Sequence, residues 1–299
     1  MKIAAAAYPI DWHNRWNDFV GKLRVWVRTA AEQGADLLVF PEYGALELAS
    51  LAGEENARDP GRLVDAVSAR IKDVDDLHAS LAREFEVHIC AATGPVRRAG
   101  DRLPVNRARL FAPDGSSAAQ DKLLPTSRER EASGLVPGTP LRLFETALGR
   151  IGILIGDDCT SPPLAHALVG AGADILLAPT CTPTMRAHWR ARVAARARAI
   201  EGQCAVVHAT TVGQADWLAV AAQSHGAAAI YVPPDEGLPE DGVLAAGKAD
   251  VAGWVHGELP LEALRQARSQ GAGTFRDWAE QAAALGEVET VALGAVVET

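Results

Sequence analysis

Short, almost wholly apolar runs alternate with helical patterns along most of this chain, and that alternation limits the fold more than any single motif does. Strand-like segments read at Lys2–Ala7, Asp36–Phe40, Val87–Ala92, Arg107–Ala112, Ile151–Ile155, Asp174–Ala178, Ala205–Ala209, Ala227–Val232 and Gly253–Val255. Helical spacing reads over Trp16–Gln33, Leu63–Glu84, Pro162–Val169, Thr184–Glu201 and Leu261–Ser269. Strands without polar alternation belong to sheets covered on both faces, and their succession with helices implies an α/β fold. Turn signals (PDG at 113–115, VPGTP at 136–140, PPDEGLPEDG at 233–242) separate the elements. No repeat, low-complexity linker or composition break interrupts the 299 residues, so one domain over 1–299 is expected. The Ala- and Gly-rich stretch from about 270 to 299 is expected to be a tail packing on a partner subunit.

Composition narrows the partners. A net charge of -9 leaves no dominant basic face, which argues against nucleic acid. The densest basic segment, Arg186–Arg198, spaces its arginines as one face of a solvated or interface helix. The chain carries no run of about 18 apolar residues, so no membrane span is expected, and MKIAAAAYPI reads as a strand rather than a secretory signal. Four widely spaced cysteines without CxxC pairing point to reduced thiols and a cytoplasmic setting.

In α/β sheets, sites gather at the carboxyl ends of strands. That rule singles out Glu42 in LLVFPEYG, the stretch Gly156–Cys159 in ILIGDDC, and Thr180–Thr182. Lys122, in QDKLLP, follows another strand and its PDG turn. A thiol attacks an amide or nitrile carbon as thiolate; a carboxylate can take its proton, and an ammonium can stabilise the oxyanion. Glu42, Lys122 and Cys159 therefore make up a complete set for acyl transfer to water. Each also has a plainer reading: a strand-end carboxylate, a surface lysine, a small packing residue. Cys90 and Cys204 read as core, and Cys181 in APTCT as a weaker second candidate for reactivity.

The segments FPEYGALELAS (40–50), FAPDGSSAAQDKLLPTSRERE (111–131), ALGRIGILI (147–155), ALVGAGADILLAPTCTPT (167–184), RARAIEGQCAVVHATTVG (196–213) and PPDEGLPEDGVLA (233–245) together resemble the nitrilase, or carbon–nitrogen hydrolase, superfamily, particularly its amidase-like branch. The resemblance implies a four-layer αββα sandwich, a homodimer or higher homo-oligomer, no cofactor and no metal, and a small amide or nitrile-like ligand. It places the general base on Glu42, the lysine on Lys122, and a second active-site glutamate on Glu129, with Glu131 as rival.

At the elbow the sequence departs from the branch pattern I-C-Y-D-x-x-F-P. Without gaps the nucleophile column falls on Gly156, the tyrosine on Asp157 and the aspartate on Asp158, with both flanks in register; Cys181, one whole strand further on, is by register not a relocated nucleophile. Three readings follow. Cys159 substitutes from within the same turn, so that the chain hydrolyses a small amide or nitrile through a thioester on Cys159. Alternatively, the chain is an inactive homologue keeping the pocket for a ligand or partner. A third reading, in which Asp157 and Asp158 create an acidic or metal site, lacks any accompanying HxH or HxxE cluster. His188, Trp189 and the 233–242 loop are candidate pocket borders.

Overall fold

The computed structural model describes residues 1–98 and 103–270, together with 283, 284 and 286. The expected 270–299 tail lies almost wholly outside them. In chain order the elements are β1 (Lys2–Pro9), α1 (Trp16–Glu32), β2 (Leu37–Val39), α2 (Glu54–Arg58), α3 (Pro60–Phe85), β3 (His88–Arg97), β4 (Pro104–Phe111), β5 (Ser117–Asp121), α4 (Ser127–Ser133), β6 (Leu143–Thr146), β7 (Gly149–Ile153), α5 (Pro162–Gly170), β8 (Ile175–Thr180), α6 (Met185–Gly202), β9 (Ala205–Gln214), β10 (Gln223–Ser224), β11 (Ala229–Tyr231), β12 (Val243–Ala246), β13 (Gly253–Glu258) and α7 (Leu261–Gln270). Two 3-10 segments, Gly44–Ala52 and Gly156–Thr160, follow β2 and β7.

Among the described residues the main strand order is β5-β4-β3-β2-β1-β9-β8-β7-β6. Parallel pairing of β1 with β9, from Ala7 opposite Thr210 to Pro9 opposite Val212, joins the two halves of the sheet. Alternation along β1 sorts its side chains between two cores, as a period of two requires. Ala4, Ala6 and Tyr8 face a cluster built with α1 and α3, while Ile3, Ala5 and Ala7 face Ile151, Ile153, Ile175 and Leu177 of the other half. A further cluster, including Leu154, Leu168, Leu176, Ala195 and Ala199, lies under α5 and α6. Helix, sheet, sheet and helix thus stack around these clusters as an αββα sandwich, the architecture the resemblance implies. Each fully buried Leu or Ile in such a layer contributes about 1.5–3 kcal/mol of burial free energy.

The helices begin where their capping chemistry dictates. Asp59 accepts from Arg62 N at 2.8 Å ahead of Pro60 in α3, and Thr184 Oγ1 accepts from Ala187 N at 3.1 Å at the start of α6. Several elements escape the apolar pattern. SAAQD of β5 is short and half polar, and SREREAS of α4 buries no residue. The arginine helix differs from its sequence reading: Arg198 is buried, pairs with Glu201 at 2.6 Å, and donates to Cys159 O at 3.3 Å. Among the described residues no helix is long and apolar enough to cross a membrane.

Candidate active site

Glu42 leaves the carboxyl end of β2 after Phe40 and Pro41, and its side chain is carried into the interior with only 3% of the residue exposed. Tyr43, with φ of 62°, turns the chain sharply there, and its N–H donates to Thr93 Oγ1 at 3.1 Å. Thr93 Oγ1 in turn donates to Asn106 Oδ1 at 2.7 Å, which aims Asn106 Nδ2 at Glu42 Oε1, 3.0 Å away. Lys122 Nζ donates to the same Oε1 at 2.9 Å, and Cys181 N donates to Oε2 at 3.1 Å. One carboxylate thus collects groups from β4, from the loop after β5 and from the end of β8.

Lys122 comes after β4 and the PDG turn, as expected, with β5, a strand absent from the sequence reading, directly before it; its N–H is held by Asn106 O at 2.8 Å. Its ammonium also donates to Glu129 Oε1 at 2.7 Å and Oε2 at 2.9 Å. Glu129, rather than the exposed Glu131, is the second glutamate in contact with the lysine. A reciprocal cap fixes it at the start of α4: Thr126 N donates to Glu129 Oε2 at 2.6 Å, and Glu129 N to Thr126 Oγ1 at 3.1 Å. Tyr43 Oη makes a further, short hydrogen bond to Glu129 Oε1.

The two carboxylates are driven apart electrostatically. Burial pushes Glu42 up to about 7 against the pull of Lys122, with Glu129 adding to the rise. Burial also opposes charge on Glu129, but Lys122, Tyr43 and the Thr126 N–H outweigh it and hold its carboxyl below the ordinary value. Burial works against the ammonium too, and the two glutamates overcome it and raise Lys122. A carboxylate near 7 beside a cation and a neighbouring carboxylate held below its ordinary value is suited to moving a proton at neutral pH.

These groups line a cavity of about 1120 Å³ that also touches Gly156, Asp157, Cys181, Arg186 and Trp189. Gly156 has a left-handed φ of 55°, and a Cβ built on it would lie 2.6 Å from both Glu42 oxygens. Position 156 therefore points straight at the candidate base, with no side chain to offer. Asp157 reaches the cavity, whereas Asp158 turns away and accepts from Leu123 N at 3.0 Å and Leu124 N at 2.7 Å. That bond fastens the elbow to the loop carrying Lys122. Burial raises Asp158 to about 6 despite those two donors.

Cys159 departs from its sequence-based role. It is 1% exposed, sits in the apolar cluster with Leu154, Leu168, Ala195 and Ala199, and is absent from the cavity lining. Burial pushes its thiol up to about 12, with Arg198 opposing. The turn delivers this side chain to the layer beneath α5 and α6, not to Glu42 and Lys122. Cys181 does line the cavity. Trp189 borders it, His188 instead stacks on His208 inside the protein, and the 233–242 loop contributes no lining residue. Among the described residues no group of three His, Cys, Asp or Glu side chains could hold a metal, and Asp157 and Asp158 point to different surroundings.

The αββα layers thus carry a buried Glu–Lys–Glu cluster, with Glu42 after β2, Lys122 after β5 and Glu129 at the start of α4. The carbon–nitrogen hydrolase family model matches residues 2–249, and the chain belongs to that family. A probable hydrolase of Bacillus subtilis, YhcX, is 29% identical over 271 residues, covering 91% of this chain and 52% of its own length. An aliphatic nitrilase of Sinorhizobium fredii is 31% identical over 61% of this chain and 60% of its own length. A deaminated glutathione amidase of Yersinia enterocolitica is 38% identical over 45% of this chain and 50% of its own. The chain spans about half the length of these curated relatives. In fold it is similar to a carbon–nitrogen hydrolase of Helicobacter pylori (TM-score 0.74, 18% identity, 94% of both chains). It is also similar to an amidase of Nesterenkonia sp. AN1, with a TM-score of 0.64, 20% identity, and coverage of 93% of this chain and 99% of that one.

Proposed function

We propose that this protein hydrolyses the C–N bond of a small carboxamide, with Glu42 as proton carrier, Lys122 as oxyanion stabiliser and Glu129 keeping the lysine charged and in place. The observation carrying this reading is the Lys122 ammonium, 2.9 Å from Glu42 and 2.7 Å from Glu129 on the wall of the cavity. An amide carbonyl seated there would place its oxygen toward a cation, where developing negative charge is stabilised most. A buried ion cluster of this kind is costly to maintain for stability alone, which supports a chemical use. Neither position 156, which has no side chain, nor Cys159, buried elsewhere, supplies the nucleophile in this scheme. Four free thiols fit a reducing, cytoplasmic setting, and the exposed Trp189, Val193 and Ile200 along α6 suit self-association.

The test is ammonia release from a panel of short carboxamides, with nitriles in parallel. Turnover that disappears in Glu42→Gln is the expected result; no ammonia from any amide or nitrile would end the hydrolase reading. A second reading, favoured by the bare Gly156, is a homologue in which an ancestral nucleophile has been replaced by glycine and the pocket binds a ligand without cleaving it. It requires a carboxamide-dependent rise in melting temperature, without ammonia, that is lost in Glu42→Ala.

A further inference from the structure

The site described so far has a base and a cation but no attacking atom. Four cysteines occur in the described residues, and their surroundings separate them sharply. Cys90, Cys159 and Cys204 are each 1% exposed or less and belong to apolar clusters. Cys181, just past β8, is only partly buried and lines the same cavity as Glu42, Lys122 and Gly156.

Its place relative to Glu42 is specific. The Cys181 N–H donates to Glu42 Oε2 at 3.1 Å, and the Cβ direction of Gly156 meets that oxygen at 2.6 Å. Residues 156 and 181 therefore flank one carboxylate oxygen from two different strand ends. Oε1 already accepts from Asn106 Nδ2 and Lys122 Nζ, whereas Oε2 accepts only the Cys181 N–H among the bonds described. A carboxylate oxygen has two acceptor positions, so Oε2 is the one with room for a proton. The thiol itself rests against Ser224, with Sγ 3.5 Å from Ser224 Oγ. A single χ1 rotation between staggered wells separates that resting contact from other orientations in the cavity.

We propose that Cys181 supplies the nucleophilic thiol for C–N cleavage in this protein; this rests on the hydrolase reading above. The Cys181 Sγ–H proton passes to Glu42 Oε2 as sulfur bonds to the amide carbon, and the carbonyl π pair moves onto oxygen, facing Lys122. When that pair returns, the C–N bond breaks and Glu42 gives its proton to the departing nitrogen, releasing ammonia and leaving an acyl thioester. Water then attacks the thioester, Glu42 takes one of its protons and passes it to sulfur, and the carboxylic acid leaves. Burial and the Glu42 charge push the resting thiol up to about 11, so it is protonated before substrate arrives and its proton moves during attack.

The experiment combines labelling with turnover on the full chain. Under limiting iodoacetamide or acrylamide, peptide mapping is expected to find Cys181 modified at least about tenfold faster than Cys90, Cys159 or Cys204, as accessibility and nearby proton acceptors dictate. Cys181→Ala, folded with an unchanged melting temperature, is expected to lower ammonia release at least about a hundredfold. Acid-quenched wild type is expected to carry the acyl mass on the peptide containing Cys181. Full turnover in Cys181→Ala, loss of turnover in Cys159→Ala instead, or an acyl group on another peptide would overturn the proposal while leaving the hydrolase reading standing. Wild type that releases no ammonia from any amide or nitrile, yet binds with an Glu42-dependent melting shift, overturns both. Cys181→Ser provides a second variant should the alanine form fold poorly.

Discussion

Glu42 and Glu47 are two buried carboxylates that follow the same strand, and the molecule treats them in opposite ways. Glu47 is fully enclosed: Tyr8 Oη donates to it at 2.9 Å, Asp11 N at 2.7 Å, and Lys22 pairs with it closely. Lys22 also meets Asp11 at 2.7 Å and lies 4.1 Å from the Tyr8 ring centroid, so the whole cluster is tied to the β1–α1 connection. Glu42 has a lysine as well, but shares it with Glu129 and stands on a cavity wall. Burial alone therefore does not distinguish a structural carboxylate from a chemical one. What distinguishes them is whether the donors saturate the group and close it off, or leave an oxygen facing open space beside a second charge.

That contrast can be broken by substitution. The largest expected effect is on turnover: Glu42→Gln removes the proton carrier and lowers amide hydrolysis by about 10²–10⁴-fold, with a modest change in melting temperature. Glu47→Ala reverses the pattern. It leaves Lys22 without its main buried partner and costs about 3–5 kcal/mol of stability, measured by urea unfolding of the two variants side by side. Asp158→Ala falls between the two regions: Leu123 N and Leu124 N lose their acceptor, for about 1–3 kcal/mol. Its kcat should also fall, because the loop holding Lys122 is no longer fastened to the elbow. Equal kcat in Asp158→Ala would show that Lys122 is placed without that tie.

pH sharpens the same comparison. With Glu42 near 7, kcat/KM should rise with pH through about 7 as the base loses its proton. The stability signs are opposite for the two site glutamates. Glu42 holds its proton more tightly folded than unfolded, so its contribution favours the fold below an ordinary 4.5 and fades as pH climbs toward 7. Glu129, held low by Lys122, contributes above the ordinary range and loses that contribution on acidification. Melting curves of wild type, Glu42→Gln and Glu129→Gln between pH 4 and 8 separate the two, and parallel curves would count against both assignments. The smallest effect is Thr126→Ala, which removes one half of the α4 cap for about 1 kcal/mol or less.

Much of this was legible in the chain because it is local. A charged residue just past the apolar run LLVF and Pro41 announces Glu42, and alternating strand and helix patterns announce an α/β fold, while the sandwich follows from the family resemblance. The 126–129 segment TSRE has the Ser/Thr-x-x-Glu form of a capping box, a signal that would have found α4 and favoured Glu129 over Glu131 without any resemblance. Other features depend on tertiary placement. Asn106 looks like an ordinary strand residue until Thr93 orients its amide toward Glu42. The sequence ranks Cys159 above Cys181; only the convergence of the segments after β2 and β8 puts Cys181 beside Glu42, and only the packing of α5 and α6 buries Cys159.

The glycine at 156 has a consequence for anyone altering this protein. Its backbone is left-handed, and the space a side chain would need is filled by both oxygens of Glu42. Installing a thiol there by Gly156→Cys would press against the very group meant to activate it, and Glu42 could retreat only by loosening Asn106, Lys122 or the Cys181 amide. Position 156 thus takes a side chain only if Glu42 shifts. A thiol at that position therefore needs the Glu42 carboxylate, and with it the donors that hold it, to move.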